Sequence, residues 1–174
     1  MSKTLLKKEL QHLDRDGVVQ VLLDLYSSRK EARDWLDFFA NPDVGKRLDK
    51  AREAINKELN RGRGQSKARI SHIRKTIKDF ASLQPGDEAI AELMTHTVEQ
   101  AYASSRRIRL SNTLIAGLQR LVTDIVAWLD EAGQLGTMMP RLQEATIALP
   151  PRSVLKPYLA EALQRLSVQS LRRK

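Results

Sequence analysis

The chain has no cysteine, only three histidines, and aromatics amounting to 5% of its 174 residues. Without cysteine there is no disulfide, no thiolate nucleophile and no cysteine-ligated zinc or iron–sulfur centre. The histidines, at 12, 72 and 96, fall in three separate predicted helices. Long apolar runs are missing too. Lysines interrupt the stretch from Met1 to Glu9 within two positions, which excludes a signal-peptide core or membrane span there, and no later window reaches membrane length. A cytoplasmic location with no membrane partner is the expectation that follows.

Charged residues make up 29% and hydrophobic ones 41% of the chain, the balance of a globular protein with enough length for a continuous core. No linker is long or polar enough to divide it, so a single helical domain over 1–174 is expected. Apolar residues recur with the helical period throughout, giving eight or nine helices and no convincing strand.

The first helix starts near Ser2 and carries Leu5, Leu6, Leu10 and Leu13, with breaks at Asp14 and Asp16-Gly17. Val18, Val19, Leu22, Leu23 and Tyr26 form the broad stripe of a second, which ends at Ser27-Ser28. Ser28 with Glu31 has the spacing of a capping box opening the third helix. There Trp35 and Phe39 share a face with Leu36 and are expected in the core, while Phe38 points sideways as the protein-contact candidate. Asn41-Pro42 is the expected start of a fourth helix through Val44, Leu48, Ala51, Ile55 and Leu59.

Asn60 to Ser66, with two glycines, is the clearest loop. Ile70, Ile73, Ile77, Phe80 and Leu83 mark the next helix, closed by Pro85-Gly86. Asp87 is the expected cap of a helix reaching Tyr102, and Ser104 to Arg107 reads as a connection. Ser111 or Asn112 starts a helix that ends at Gly133, where a left-handed terminal residue belongs. A shorter helix over Thr137 to Leu149 has Pro140 in its first turn and stops at Pro150-Pro151. Ser153 precedes the last helix, which runs from Leu155 to Arg172-Arg173-Lys174. Short connections between such helices favour an all-α fold of stacked antiparallel helical hairpins, either an irregular bundle or a short solenoid.

What the chain has in concentrated form is positive charge. Between Lys57 and Lys78 eight lysines and arginines oppose only Glu58, a net +7 of the chain's +9. On a helical wheel Lys67, Arg74, Lys75 and Lys78 lie opposite Ile70, Ile73, Ile77 and Phe80, as a cationic stripe over a buried face. Arg61 and Arg63, in the Arg-Gly-Arg-Gly loop, add guanidinium groups on a backbone able to follow a phosphate chain. Arg61, Arg63, Lys67, Arg74, Lys75 and Lys78 are therefore the candidate nucleic-acid or anion-binding residues. The bland alternative is a solvated face matched by carboxylates of a neighbouring helix. No aromatic lies between Lys57 and Arg74, so the stacking platforms of single-strand binders are missing, and binding is expected to be electrostatic and insensitive to base sequence.

Catalytic patterns are sparse. Glu92, His96 and Glu99 share one helix face at metal-ligand spacing, but no second Glu-x-x-His supplies the other half of such a site, so an exposed polar face is expected and no metal. Arg61 to Lys67 lacks the Gly-Lys-Ser/Thr ending of a phosphate loop and follows no strand. No Gly-x-Ser-x-Gly elbow is present. The expectation is a non-enzymatic module without cofactor.

Several blocks resemble a bacterial family, the domain of unknown function family 6155. They are Lys8-Glu9-Leu10 with Leu13-Asp14, Leu23-Asp24-Leu25-Tyr26, Lys30-Glu31 and Asn41-Pro42-Asp43, then Lys67 to Ser71, Arg74 to Ile77, and Asp79-Phe80 through Leu83. The likeness covers about residues 1 to 100, the N-terminal half, and residues 151–174 lie outside it. It implies an all-helical intracellular bacterial protein and supplies no catalytic residue. Two partner classes stand open: a polyanion such as nucleic acid on segment 60–78, or a protein partner or second copy, with the basic face only solubilising.

Overall fold

The computed structural model describes the backbone of residues 2–172 and the side chains of residues 2–168. It is all-α, as expected: nine helices and no strand among the described residues. Arg173 and Lys174, read as the end of the last helix, lie outside the described residues. The sequence leads to the expectation of one domain over 1–174, whereas the chain falls into two compact units, one ending at Asp43 and one beginning at Val44.

The first unit holds α1 (Lys3–Gln11), α2 (Arg15–Ser28) and α3 (Lys30–Ala40). Ser2 and Asp14 cap the first two, accepting from Leu5 N–H at 3.3 Å and Gly17 N–H at 2.7 Å. These bonds satisfy amides that a helix start leaves unpaired. Asp16-Gly17 therefore lies in the first turn of α2 rather than before it. The expected Ser28–Glu31 box does not form: Ser28 is still in α2, with its hydroxyl on Leu25 O, and α3 starts from Arg29 without a side-chain cap. Three hydrogen bonds tie α2 to α3: Tyr26 Oη donates to Asp37 at 3.0 Å, Arg33 Nε donates to Tyr26 O at 3.2 Å, and Arg33 Nη2 donates to Ser27 O at 3.4 Å.

The aromatic assignments in α3 are reversed. Phe38, the contact candidate, is buried at 8% exposure, whereas Trp35 is 39% and Phe39 71% exposed. Four residues apart on one face, Trp35 and Phe39 stack on each other at 5.5 Å and shield one another instead of entering a core. A helical wheel separates the faces of α3 but does not say which one meets a neighbour.

The second unit comprises α4 (Val44–Leu59), α5 (Ile70–Ala81), α6 (Asp87–Ser105), α7 (Asn112–Glu131), α8 (Leu135–Ile147) and α9 (Tyr158–Arg172). Asn41 closes α3 rather than opening α4, which begins two residues after Pro42. Each helix packs on the next, and α4 on α6, α6 on α8, α5 on α7 and α7 on α9. The result is two layers, α4/α6/α8 and α5/α7/α9, the pattern of stacked helical hairpins. Between them lies one core that includes Ile55, Ile73, Leu93, Tyr102, Leu118, Val126, Leu142 and Leu155.

Helix ends follow local chemistry. Ser111 Oγ accepts from Leu114 N–H at 3.2 Å to open α7. Its end is a left-handed cap: Gly133 has φ +67°, its N–H reaches Asp130 O at 3.0 Å, and Gln134 N–H reaches Leu129 O at 2.8 Å. Asp87 is the first helical residue of α6, not its cap, which is Gly86. Pro140 sits well inside α8, which starts earlier than expected, at Leu135. Residues 150–157 form hydrogen-bonded turns that bury Leu155, so α9 starts at Tyr158 rather than after Ser153. Among the described residues no helix is long and apolar enough to cross a membrane.

Candidate functional site

The loop between α4 and α5 runs to Arg69, so Lys67 belongs to it and not to the α5 stripe. Two glycines set its path. Gly62 has φ +109°, and a Cβ there would sit 2.4 Å from Gln65 O, so a side chain is excluded both by conformation and by space. Gly64, at φ +73°, lets Gln65 N–H turn back onto Arg63 O at 2.9 Å. Lys67 N–H closes the loop on Arg61 O at 2.9 Å.

Glu58 anchors the base of the loop. Its carboxylate accepts from Arg69 backbone N–H at 2.8 Å, Arg69 Nε at 3.0 Å and Nη2 at 3.2 Å, and Arg61 Nη1 lies 3.7 Å away. The Arg69 hydrogen bond, against the opposing effect of burial, holds the Glu58 carboxyl below its ordinary value.

Against this loop lies the α6–α7 connection. Arg109 N–H donates to Gly64 O at 3.0 Å and Ser66 N–H donates to Arg109 O at 2.8 Å, an isolated parallel bridge centred on Gln65 and Arg109. Arg107 Nη2 donates to Asn60 Oδ1 at 3.0 Å. Arg106, Arg107 and Arg109, all exposed, are thereby held beside exposed Arg61, Arg63 and Lys67. In the sequence Arg106 and Arg107 read only as part of a connection and Arg109 carries no assignment; the run Arg-Arg-x-Arg is the signal that marks all three.

The α5 cations are less free than expected. Arg74 pairs with Asp124 of α7 at 2.5 Å, and Lys75 with Asp79 one turn along at 2.9 Å. Lys78 is exposed and, like Arg63, Lys67, Arg106 and Arg109, meets no carboxylate among the described residues. The centre of unmatched charge is therefore the loop pair, not the helical stripe. It continues into two open clefts that share Ser111, the smaller of about 260 Å³ beside Gln65 and Arg109. The larger, about 710 Å³, runs between α5 and α7 past Arg69, Arg74 and Arg120.

Glu92, His96 and Glu99 do not form the expected exposed polar face. They are half-buried between α4 and α8, where Arg141 donates to Glu99 at 2.8 Å through both Nε and Nη2 and to Glu92 at 2.5 Å. Arg52 of α4 also donates to Glu92, and His96 Nε2 lies 3.0 Å from Asn56 Oδ1. Burial tends to raise the Glu92 carboxyl, but hydrogen bonding and charge from Arg141 with the charge of Arg52 outweigh it, leaving it below its ordinary value. Burial, reinforced by the Arg52 charge, holds the His96 imidazole below its ordinary value. With both carboxylates engaged by guanidinium groups, this face is a structural clasp across one layer of the stack. Among the described residues no group of three or more acidic or histidine side chains is placed to hold a metal ion.

The model of a family of unknown function, DUF6155, matches residues 1–147. No curated protein and no solved structure matches the chain. The chain belongs to this family, and the match extends past the N-terminal half to the end of α8, leaving α9 outside.

Proposed function

We propose that this DUF6155 member is a non-enzymatic helical binding module that engages a polyanion, nucleic acid being the natural class, through the paired loops 60–69 and 106–110. The observation that supports it best is the backbone bridge between Gln65 and Arg109, which brings together six exposed cations from two distant segments, of which Arg61 alone pairs with a carboxylate, Glu58, among the described residues. A rigid cationic ridge of this kind attracts phosphates and releases their counterions on binding. Guanidinium groups predominate in it, and their planar forks suit phosphate oxygens. Arg61, Arg63, Lys67, Arg106, Arg107 and Arg109 are assigned to contact; Lys78 and Arg120 extend the field, and Arg74 and Lys75 contribute less because of their carboxylate partners.

The test is fluorescence anisotropy with mixed-sequence DNA and RNA at low salt. Binding that weakens steeply as salt is raised and is indifferent to base sequence supports the proposal. No binding at the lowest salt overturns it. The alternative, a protein-interaction or self-assembling module, draws on a different part of the chain, the apolar surface of α1–α3.

A further inference from the structure

We infer that α1 and α2 form a self-association surface whose occupant is the same surface on a second copy of this chain. Neither helix contains a buried residue. Among the described residues, ten of the thirteen exposed large hydrophobics lie before Asn41: Leu5, Leu6, Leu13, five residues of α2, Trp35 and Phe39. In α2, Val18, Val19, Val21, Leu22, Leu23, Leu25 and Tyr26 spread over roughly 200° of the helix circumference at 100° per residue, about twice the stripe that one neighbour covers. Packing on α3 accounts for one side only.

Two features favour a second copy over another partner. The first is charge. Residues 3–28 carry four cations and four carboxylates, and the whole of 1–43 has seven against eight, whereas 44–174 has twenty-three against thirteen. A basic or acidic partner face gains nothing from a neutral, mixed-sign surface, while two copies of it meet without repulsion and can match opposite charges. The repulsive +10 of the second unit, by contrast, disfavours assembly through that unit.

The second is size. A helical unit of 43 residues, with Phe38 as its one buried large hydrophobic among the described residues, is near the limit below which chains need oligomerisation to fill a core. Two copies supply six helices and double the apolar surface around one axis, and such an isologous dimer is closed. This inference is independent of polyanion binding, and mass and anisotropy report the two separately.

The experiment is analytical ultracentrifugation of the full chain. A two-chain mass is expected, falling to one chain in the double variant Leu22→Asp, Leu25→Asp, and unchanged in Ile147→Asp, which alters an exposed apolar residue of the second unit. Circular dichroism checks that the variants keep their helix content. Should the double variant lose helix, Leu23→Cys decides: under oxidation it gives a disulfide-linked dimer, and Ile147→Cys gives none. A one-chain mass for the unaltered protein, a dimer that survives the double variant with helix content intact, or no cross-link at Leu23 overturns the inference.

Discussion

Arg109 and Gln65 are held side by side by backbone hydrogen bonds on either side of Gln65, with Arg109 N–H on Gly64 O and Arg109 O receiving Ser66 N–H. Because the bridge uses backbone rather than side-chain groups, it leaves the guanidinium of Arg109 available to solvent and fixes where Arg63 and Lys67 point their charge from. Rigidity matters here, since a preorganised cationic loop loses less freedom on meeting a phosphate chain.

The glycine that shapes the loop is therefore a sharp probe. Gly62→Ala should destabilise the protein by about 2 kcal/mol, because its backbone lies in the left-handed region and the new Cβ meets Gln65 O. Urea denaturation measures this. Gly64→Ala, whose Cβ meets nothing, should lose less, about 1 kcal/mol.

Arg141→Ala should cost about 1–2 kcal/mol in the same assay, since it strands Glu92 and Glu99 between helices; the side chains are a quarter to a third exposed, so solvent softens the fully buried range. Arg141→Lys should recover only part of the loss, because it cannot make the two-pronged contact with Glu99.

Acid should weaken the fold in two windows. His96 sits below its ordinary 6.5, so the unfolded chain takes up that proton first; the stability it contributes is full above 6.5 and is lost as pH falls through the lowered folded value. Glu58 and Glu92 are likewise held below 4.5, so their contribution is full above 4.5 and is lost as pH falls further, through their lowered folded values. Melting temperatures across these ranges should fall in both windows for the unaltered protein, and His96→Gln should flatten the upper one alone.

Core truncation gives the scale for these effects. Leu142 and Leu129 are fully buried, and replacing either with alanine should destabilise the second unit by about 2–5 kcal/mol, measured by thermal unfolding.

The sequence shows most clearly what is decided locally. Ser111 and Gly133 bound α7 where side-chain capping and a left-handed residue say they should, and Ile73, Ile77 and Phe80 of α5 are buried as their period requires. The failures involve choices that distant residues make. Ser28 has the form of a cap, but its hydroxyl finds Leu25 O within its own helix. Trp35 and Phe39 have core character, yet the face carrying Phe38 is the one that is covered. Glu92 and Glu99 look solvent-facing until Arg141, more than forty positions on, arrives between them. In the candidate site, Arg61, Arg63 and Lys67 stand out as charge in a glycine-rich loop, whereas Arg106, Arg107 and Arg109 become part of it only through a non-local backbone bridge. Arg74 and Lys75 show the reverse, being prominent in the sequence and matched by carboxylates in the fold.

That contrast yields a direct measurement: the slope of log binding constant against log salt for mixed-sequence nucleic acid, compared between two sets of variants. Arg63→Ala, Lys67→Ala and Arg109→Ala together should lower the slope by about 2–3, roughly one for each phosphate contact removed, while Arg74→Ala with Lys75→Ala should lower it by less than about 1. An unchanged slope in the loop variants, or a larger loss from the α5 pair, contradicts the assignment of the paired loops as the polyanion surface.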